Sequence, residues 1–328
     1  TVMEYVNIDF VDKPVSRLIF GTSTPLMQKG GDATALLDRA FGLGVTAFDT
    51  ARCYGKAEET LGAWVRSRGN REKIVIQSKG GINGFLWRSR IRERDIRYDL
   101  DKSLAALGTD HIDIYLLHRD DKRVPAGDIV QLLNSLASDG KIRAFGGSNW
   151  THERIEAANE YAYAHGLRPF VVSSPNYGLA VMMKDPWGGG LVTVTGGKNE
   201  AEREWYARTQ MPLAAWSCIG GGLFSGRFTS KDPSAAKRCM ALLYRKAFLY
   251  PQNIERLARA ERLAARKNVT PVMIAVAYLL ASGMNVFPIV GTTNAAHLES
   301  CVKALDIHIT KEEAAWLDLR GDDPGEEG

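Results

Sequence analysis

Eight short apolar runs recur along the chain, separated by stretches in which apolar residues return every three to four positions. The runs are Arg17–Phe20, Val45–Asp49, Ile74–Ser78, Ile112–His118, Ile142–Gly146, Phe170–Ser174, Leu213–Ser217 and Val286–Val290. They are continuously apolar rather than alternating, as parallel strands covered by helices on their outer face require. The intervening stretches, among them Ala33–Phe41, Glu58–Arg68, Asp95–Leu107, Ile129–Ser138, Thr151–His165 and Ala295–Leu305, carry the helical period. Eight such units predict a (β/α)8 TIM barrel rather than a doubly wound open sheet. The first turn, Gly21-Thr22-Ser23-Thr24-Pro25, also lacks the glycine pattern of a dinucleotide-binding open sheet.

Other signals place the ends. Tyr5–Val11 and Val15–Phe20, flanking Asp12-Lys13-Pro14, read as an N-terminal β-hairpin able to close the bottom of the barrel. Thr270-Pro271 reads as an N-cap followed by an N1 proline, and Thr310 to Glu313 as a capping box opening an extra C-terminal helix. Residues 179–198 and 229–252 are expected to be long loops on the C-terminal face, where such barrels build active sites. The acidic tail, residues 319–328, is expected to be flexible, and the whole chain to form one barrel domain.

Composition narrows the function. A net charge of +4 dispersed over 328 residues gives no case for nucleic acid or an anionic membrane as the main partner. Cys53, Cys218, Cys239 and Cys301 lie far apart without a metal-ligand spacing, which fits a reducing cytoplasm and neither a disulfide framework nor a zinc site. The longest apolar run, Ile274 to Ala281, is too short to span a bilayer. A small-molecule carbonyl or alcohol substrate is the expected partner.

Four polar residues map to the C-terminal ends of three successive strands and the turn after the first of them. Asp49 ends strand two, Tyr54 lies in the turn beyond it, Lys79 follows strand three and His118 ends strand four. An ammonium beside a phenol stabilises the phenolate, an aspartate holds the lysine, and tyrosine becomes a usable general acid near neutral pH. A histidine there can orient and polarise a substrate carbonyl. Singly, each has a plainer explanation as an ion pair or a core group; their joint placement favours chemistry.

The segments GVTAFDTARCYGKAEETLG (44–62), IVIQSKG (74–80), LGTDHIDIYLLHRDD (107–121), GKIRAFGGSN (140–149) and AWSCIGGGLFSGRF (215–228) resemble those of the aldo-keto reductases. The resemblance implies that Asp49, Tyr54, Lys79 and His118 form a catalytic tetrad and that the cofactor is NADP(H), with NAD(H) as the alternative. A carbonyl reductase without metal ligands needs such a hydride source. By the same resemblance Gly21, Thr22, Asp49 and the Ser148-Asn149 pair contact the cofactor, and Trp216, next to Ser217, stacks on the nicotinamide. Ile219, Gly220 to Gly222, Ser225, Gly226 and Arg227 resemble a pyrophosphate loop. Gly291, Thr292, Thr293, His297 and Cys301 resemble an adenosine-phosphate loop.

The chain departs from the family pattern in three places. Ser174, a cofactor contact by the same resemblance through one hydrogen bond to the carboxamide, stands where many members carry glutamine; Thr293 replaces an Arg or Lys, and Cys301 an Asn, so a strong preference for NADPH over NADH is not expected. Tyr54, Trp87, His118, Arg119, Tyr177 and Trp187 are expected to contact substrate, and aromatics with polar edges suit sugars, aldehydes and ketones alike. Two other readings stand beside the reductase: a nonenzymatic nicotinamide-binding subunit, and a Schiff-base aldolase using Lys79.

Overall fold

A computed structural model of the protein describes residues 2–84 and 88–325. Strands β1 (Tyr5–Val6) and β2 (Val15–Ser16) pair antiparallel, Tyr5 opposite Ser16 and Val6 opposite Val15. Then follow β3 (Ile19–Gly21), β4 (Ala47–Asp49), β5 (Val75–Gly80), β6 (Ile112–Leu117), β7 (Ile142–Ser148), β8 (Val172–Ser174), β9 (Leu213–Ala215) and β10 (Val286–Val290). These eight form a closed barrel in the order β10, β3, β4, β5, β6, β7, β8, β9; successive strands from β3 to β8 pair in parallel, as do β9 and β10. Both faces of β3 to β6 are buried throughout, which explains why these strands read as mainly apolar runs without alternation.

The hairpin is present but shorter than Tyr5–Val11 and Val15–Phe20. Ser16 ends it: its hydroxyl donates to the Leu18 carbonyl and accepts from the Thr46 and Ala47 amides, drawing the chain towards β4. Residues 19–21 consequently belong to the barrel. Two boundary shifts concern the site. Lys79 lies inside β5 rather than after it, and His118 sits one residue beyond β6.

Packing divides the chain into two compact units. The first comprises residues 2–174 and 291–295. Its long helices, Thr34–Gly42, Ala57–Arg68, Glu93–Leu107, Ala126–Ser138 and His152–Ala164, follow the predicted stretches closely. Gly69 and Gly108 end two of them in the left-handed region, at φ 58° and 66°. Gly62 lets one helix approach the next, because a Cβ there would lie 2.3 Å from the Leu107 carbonyl oxygen.

The second unit comprises residues 175–290 and 296–328, described to 325. Residues 229–252 are not a plain loop: short helices cover Ala236–Cys239 and Leu242–Phe248 before the long helix Pro251–Arg266 begins. Their length is too short for periodicity to reveal, yet Ala247 and Phe248 are fully buried. The helix Glu200–Thr209 also went unpredicted, following the irregular segment 179–198. Pro271 does start a helix, but the Thr270 side chain makes no capping bond there. Thr310 and Glu313 do form the reciprocal capping box, opening the extra helix Lys311–Leu317. The tail is tied down as far as residue 325, since Arg266 pairs with both Asp323 carboxylate oxygens at 2.6 and 2.8 Å and bonds the Gly325 carbonyl. Among the described residues no single helix is long and apolar enough to cross a membrane.

Candidate active site

Register assembles the charged pair. Asp49 on β4 lies opposite Gln77 on β5, and Gln77 and Lys79, two residues apart, share one side of that strand. Lys79 Nζ meets Asp49 Oδ1 at 2.5 Å and the Thr50 carbonyl at 2.9 Å, while Gln77 Nε2 donates to the same Asp49 oxygen at 2.7 Å. Gln77 was not anticipated, although its strand period with Lys79 marks it. Both charges are almost completely buried, Lys79 at 2% and Asp49 at 5% side-chain exposure. A buried ion pair of this kind persists only with such full hydrogen bonding.

Tyr54 is carried by the turn beyond β4. Its amide donates to the Ala51 carbonyl and its own carbonyl accepts from Ala57. The turn is seated against the Gln28 carbonyl, which accepts from the Lys56 amide and stands 2.5 Å from where a Cβ of Gly55 would be, so only glycine fits there. The Lys79 ammonium lies 5.1 Å from the Tyr54 ring centroid, and His118 meets that ring edge-on at 5.8 Å. The four predicted catalytic residues therefore come together. A cation beside the phenol favours the phenolate and eases loss of its proton.

His118 is buried, and its imidazole is held well below the usual histidine range by burial first, then by the charges of Lys79 and Arg119. It is thus neutral at neutral pH and able to donate one N–H. Its carbonyl accepts from Arg119 Nη1 at 2.9 Å and from Asn149 Nδ2 at 3.3 Å. Arg119, expected on a pocket wall, is itself buried at this point. Ser148, Asn149 and Ser174 are joined: the Ser148 hydroxyl and the Asn149 amide both donate to the Ser174 carbonyl, and Asn149 Nδ2 donates to Ser148 Oγ. Gly21 lies opposite Asp49, whose carbonyl accepts from the Thr22 amide, and the Thr22 hydroxyl is buried without a partner. Gly291, Thr292 and Thr293 form a surface turn in which Thr292 Oγ1 accepts from Asn294, with Thr293 exposed.

In the second unit Trp216 is half-buried, with its indole N–H unpartnered, and meets Trp187 edge-on at 6.1 Å. Its carbonyl is fixed by Asn176 Nδ2 at 3.0 Å, a contact that sequence reasoning missed. Ser217 has φ 52°, and after Ile219 three consecutive glycines, Gly220, Gly221 and Gly222, have φ 62°, 63° and 98°. This is a backbone cradle that side chains would fill: a Cβ on Gly222 would lie 2.6 Å from the Arg227 guanidinium, and one on Gly221 would lie 2.3 Å from the Tyr244 ring. Arg227 is exposed and donates to Ser225 Oγ, which in turn donates to the Gly222 carbonyl. His297 is half-buried and shifted below the usual range by burial and then by Arg227. Within this unit the cradle, the Arg227 guanidinium and the unpartnered Trp216 indole N–H suit an anionic nicotinamide dinucleotide, so these residues fit the implied cofactor.

Two assignments are corrected. Tyr177 is buried against Tyr278, with ring centroids 6.4 Å apart, and burial pushes its hydroxyl up to about 12; it is a core residue and no pocket wall. Cys301 is wholly buried, its thiol pushed up by burial and then by Cys218, so its side chain is not offered to a cofactor. Trp87 lies outside the described residues.

The Aldo/keto reductase family model matches residues 17–319. Aldo-keto reductase str7 of Strobilurus tenacellus is 28% identical over 301 residues, covering 88% of this chain and 81% of that protein. Aldo-keto reductase yakc [NADP(+)] of Schizosaccharomyces pombe is 30% identical over 286 residues, 84% of this chain and 78% of that protein. Aryl-alcohol dehydrogenase GME11368 of Pestalotiopsis microspora is 27% identical over 301 residues, 87% and 71% respectively.

Proposed function

Since the chain belongs to the aldo/keto reductase family and is an NAD(P)-dependent oxidoreductase acting on small carbonyl or alcohol substrates, we propose that it reduces aldehydes or ketones with Tyr54 as proton donor. The family's cofactor is NADP(H). What supports the assignment of Tyr54 is the Lys79 ammonium, itself held by Asp49 and Gln77, lying 5.1 Å from the phenol ring. Bound cofactor supplies a hydride to the carbonyl carbon. His118 donates a hydrogen bond to the carbonyl oxygen and draws electron density onto it. Tyr54 gives its proton to that oxygen as charge develops, and Lys79 stabilises the phenolate left behind.

Thr22, Ser148 and Asn149 would hold the nicotinamide end, Trp216 would stack on its ring, and Gly220 to Gly222 with Arg227 would meet the phosphates. Trp187, edge-on to Trp216, favours aromatic carbonyls, a choice in keeping with the relative named as an aryl-alcohol dehydrogenase. A Schiff-base role for Lys79 would have to break its bonds to Asp49 and the Thr50 carbonyl, and no observation favours it. A cytoplasmic location belongs to the same proposal, supported by four cysteines far apart in sequence without a metal-ligand spacing.

The test is oxidation of NADPH or NADH by the purified protein against a panel of aromatic and aliphatic aldehydes, ketones and sugars. Tyr54→Phe is expected to slow the chemical step by about 100-fold or more while cofactor affinity is kept. Near wild-type turnover in that variant would move the proton donor elsewhere.

A further inference from the structure

One group beside His118 has no part in the chemistry above. Cys53 Sγ lies 3.6 Å from His118 Nδ1, within hydrogen-bond reach for sulfur. A neutral imidazole carries a single N–H, and the partner of one nitrogen decides which of the two holds it. We propose that Cys53 is a positioning residue for the reduction: its S–H donates to His118 Nδ1, which keeps the ring proton on Nε2 as the donor to the substrate oxygen.

Two observations and one chemical argument support this direction for the bond. Among the described residues, the groups facing the imidazole are Lys79 from β5, Tyr54 and Cys53 from the turn after β4, and Arg119 next to it in sequence. None of these is an anion that would favour the doubly protonated ring, and burial with the two cations keeps it neutral. Cys53 is exposed as a residue, yet its sulfur lies against a buried imidazole, and these surroundings set its ionisation. Burial pushes the thiol up to about 11, outweighing Lys79 and Arg119, so it remains S–H at neutral pH. The opposite arrangement, Nδ1–H donating to sulfur, would turn the Nε2 lone pair towards the lone pairs of a carbonyl oxygen.

The consequence for turnover rests on the reductase reading; the tautomer does not. The decisive measurement is the ring-nitrogen shifts of His118 in 15N-histidine-labelled enzyme with NADP+ bound at neutral pH. Wild type is expected to show the Nε2–H tautomer, and Cys53→Ser, which keeps a donor, to retain it. Cys53→Ala is expected to admit the Nδ1–H form and to lower kcat about 3- to 10-fold with cofactor affinity unchanged, the scale of one lost hydrogen bond. Restoration of both tautomer and kcat in Cys53→Ser supports the assignment. A wild-type ring protonated on Nδ1 overturns it, as does a Cys53→Ala enzyme with unaltered tautomer and kcat. Failure of every substrate to oxidise NADPH would instead sink the reductase reading and leave the tautomer result standing.

Discussion

Replacing Lys79 by methionine, alone and together with Asp49→Asn, separates what the buried pair does for stability from what it does for catalysis. The single change preserves side-chain length but leaves a carboxylate at 5% exposure with, among the described residues, only Gln77 Nε2 as donor, and the Thr50 carbonyl without its ammonium. Removing one partner of a buried ion pair costs about 3–5 kcal/mol, because the remaining charge is neither solvated nor paired. Against a total stability on the order of 10 kcal/mol, that loss is large. Asp49→Asn in the same background removes the orphaned charge while keeping an oxygen for Gln77. The remaining cost should then be that of the lost hydrogen bonds, about 1–2 kcal/mol. The double variant is therefore expected to be more stable than Lys79→Met by about 2–3 kcal/mol, read from denaturant midpoints at constant slope. Turnover should show no such rescue: both variants lack the cation beside Tyr54 and should fall by about 100-fold or more. A Lys79→Met protein as stable as wild type, or a double variant that recovers turnover, would refute the reasoning.

Stability should fall on acidification in a way that His118 controls. Its folded value is depressed, so the unfolded chain binds the proton more readily. Its contribution is fully present above about pH 6.5 and is lost as pH falls from there towards the lowered folded value, at up to about 1.4 kcal/mol per unit. Denaturation of wild type and His118→Gln at pH 7 and pH 5 should show a smaller drop in the variant; equal drops would assign the loss to other groups. Gly221→Ala should weaken cofactor binding about tenfold, since alanine at φ 63° costs about 1–2 kcal/mol and its Cβ collides with Tyr244. Adding Tyr244→Ala relieves the collision but not the backbone cost, so affinity measured by tryptophan quenching should recover only in part; unchanged affinity in Gly221→Ala would show that the cradle does not bind cofactor.

Much of the barrel was legible because its signal is local. A strand buried on both faces is mainly apolar along its length, and each of the eight runs overlaps an observed strand. The errors lie at the ends, where hydrogen bonding decides and hydrophobicity does not. Lys79 reads as a loop residue because it is charged, yet it pairs within β5 opposite Leu116, its charge satisfied by Asp49 on the neighbouring strand. The helices missed between residues 229 and 252 are too short to display a period, and their burial depends on tertiary partners.

The site divides along the same line. Asp49, Tyr54, Lys79 and His118 were legible because strand ends in a barrel converge whatever the loops do, so sequence position nearly fixes spatial position. Tyr177 shows where that inference stops: being close after a strand end says nothing about whether a side chain turns inward or out against the helices, and Tyr177 packs on Tyr278. The contact between Cys53 and His118 joins residues 65 apart through the depth of one turn, and only the turn's geometry sets it. That turn is itself held by Gly55 against the Gln28 carbonyl, a backbone constraint remote from either side chain. Thus the identity of the reacting groups is written in strand spacing, whereas the orientation of the groups that tune them is written in turn conformation.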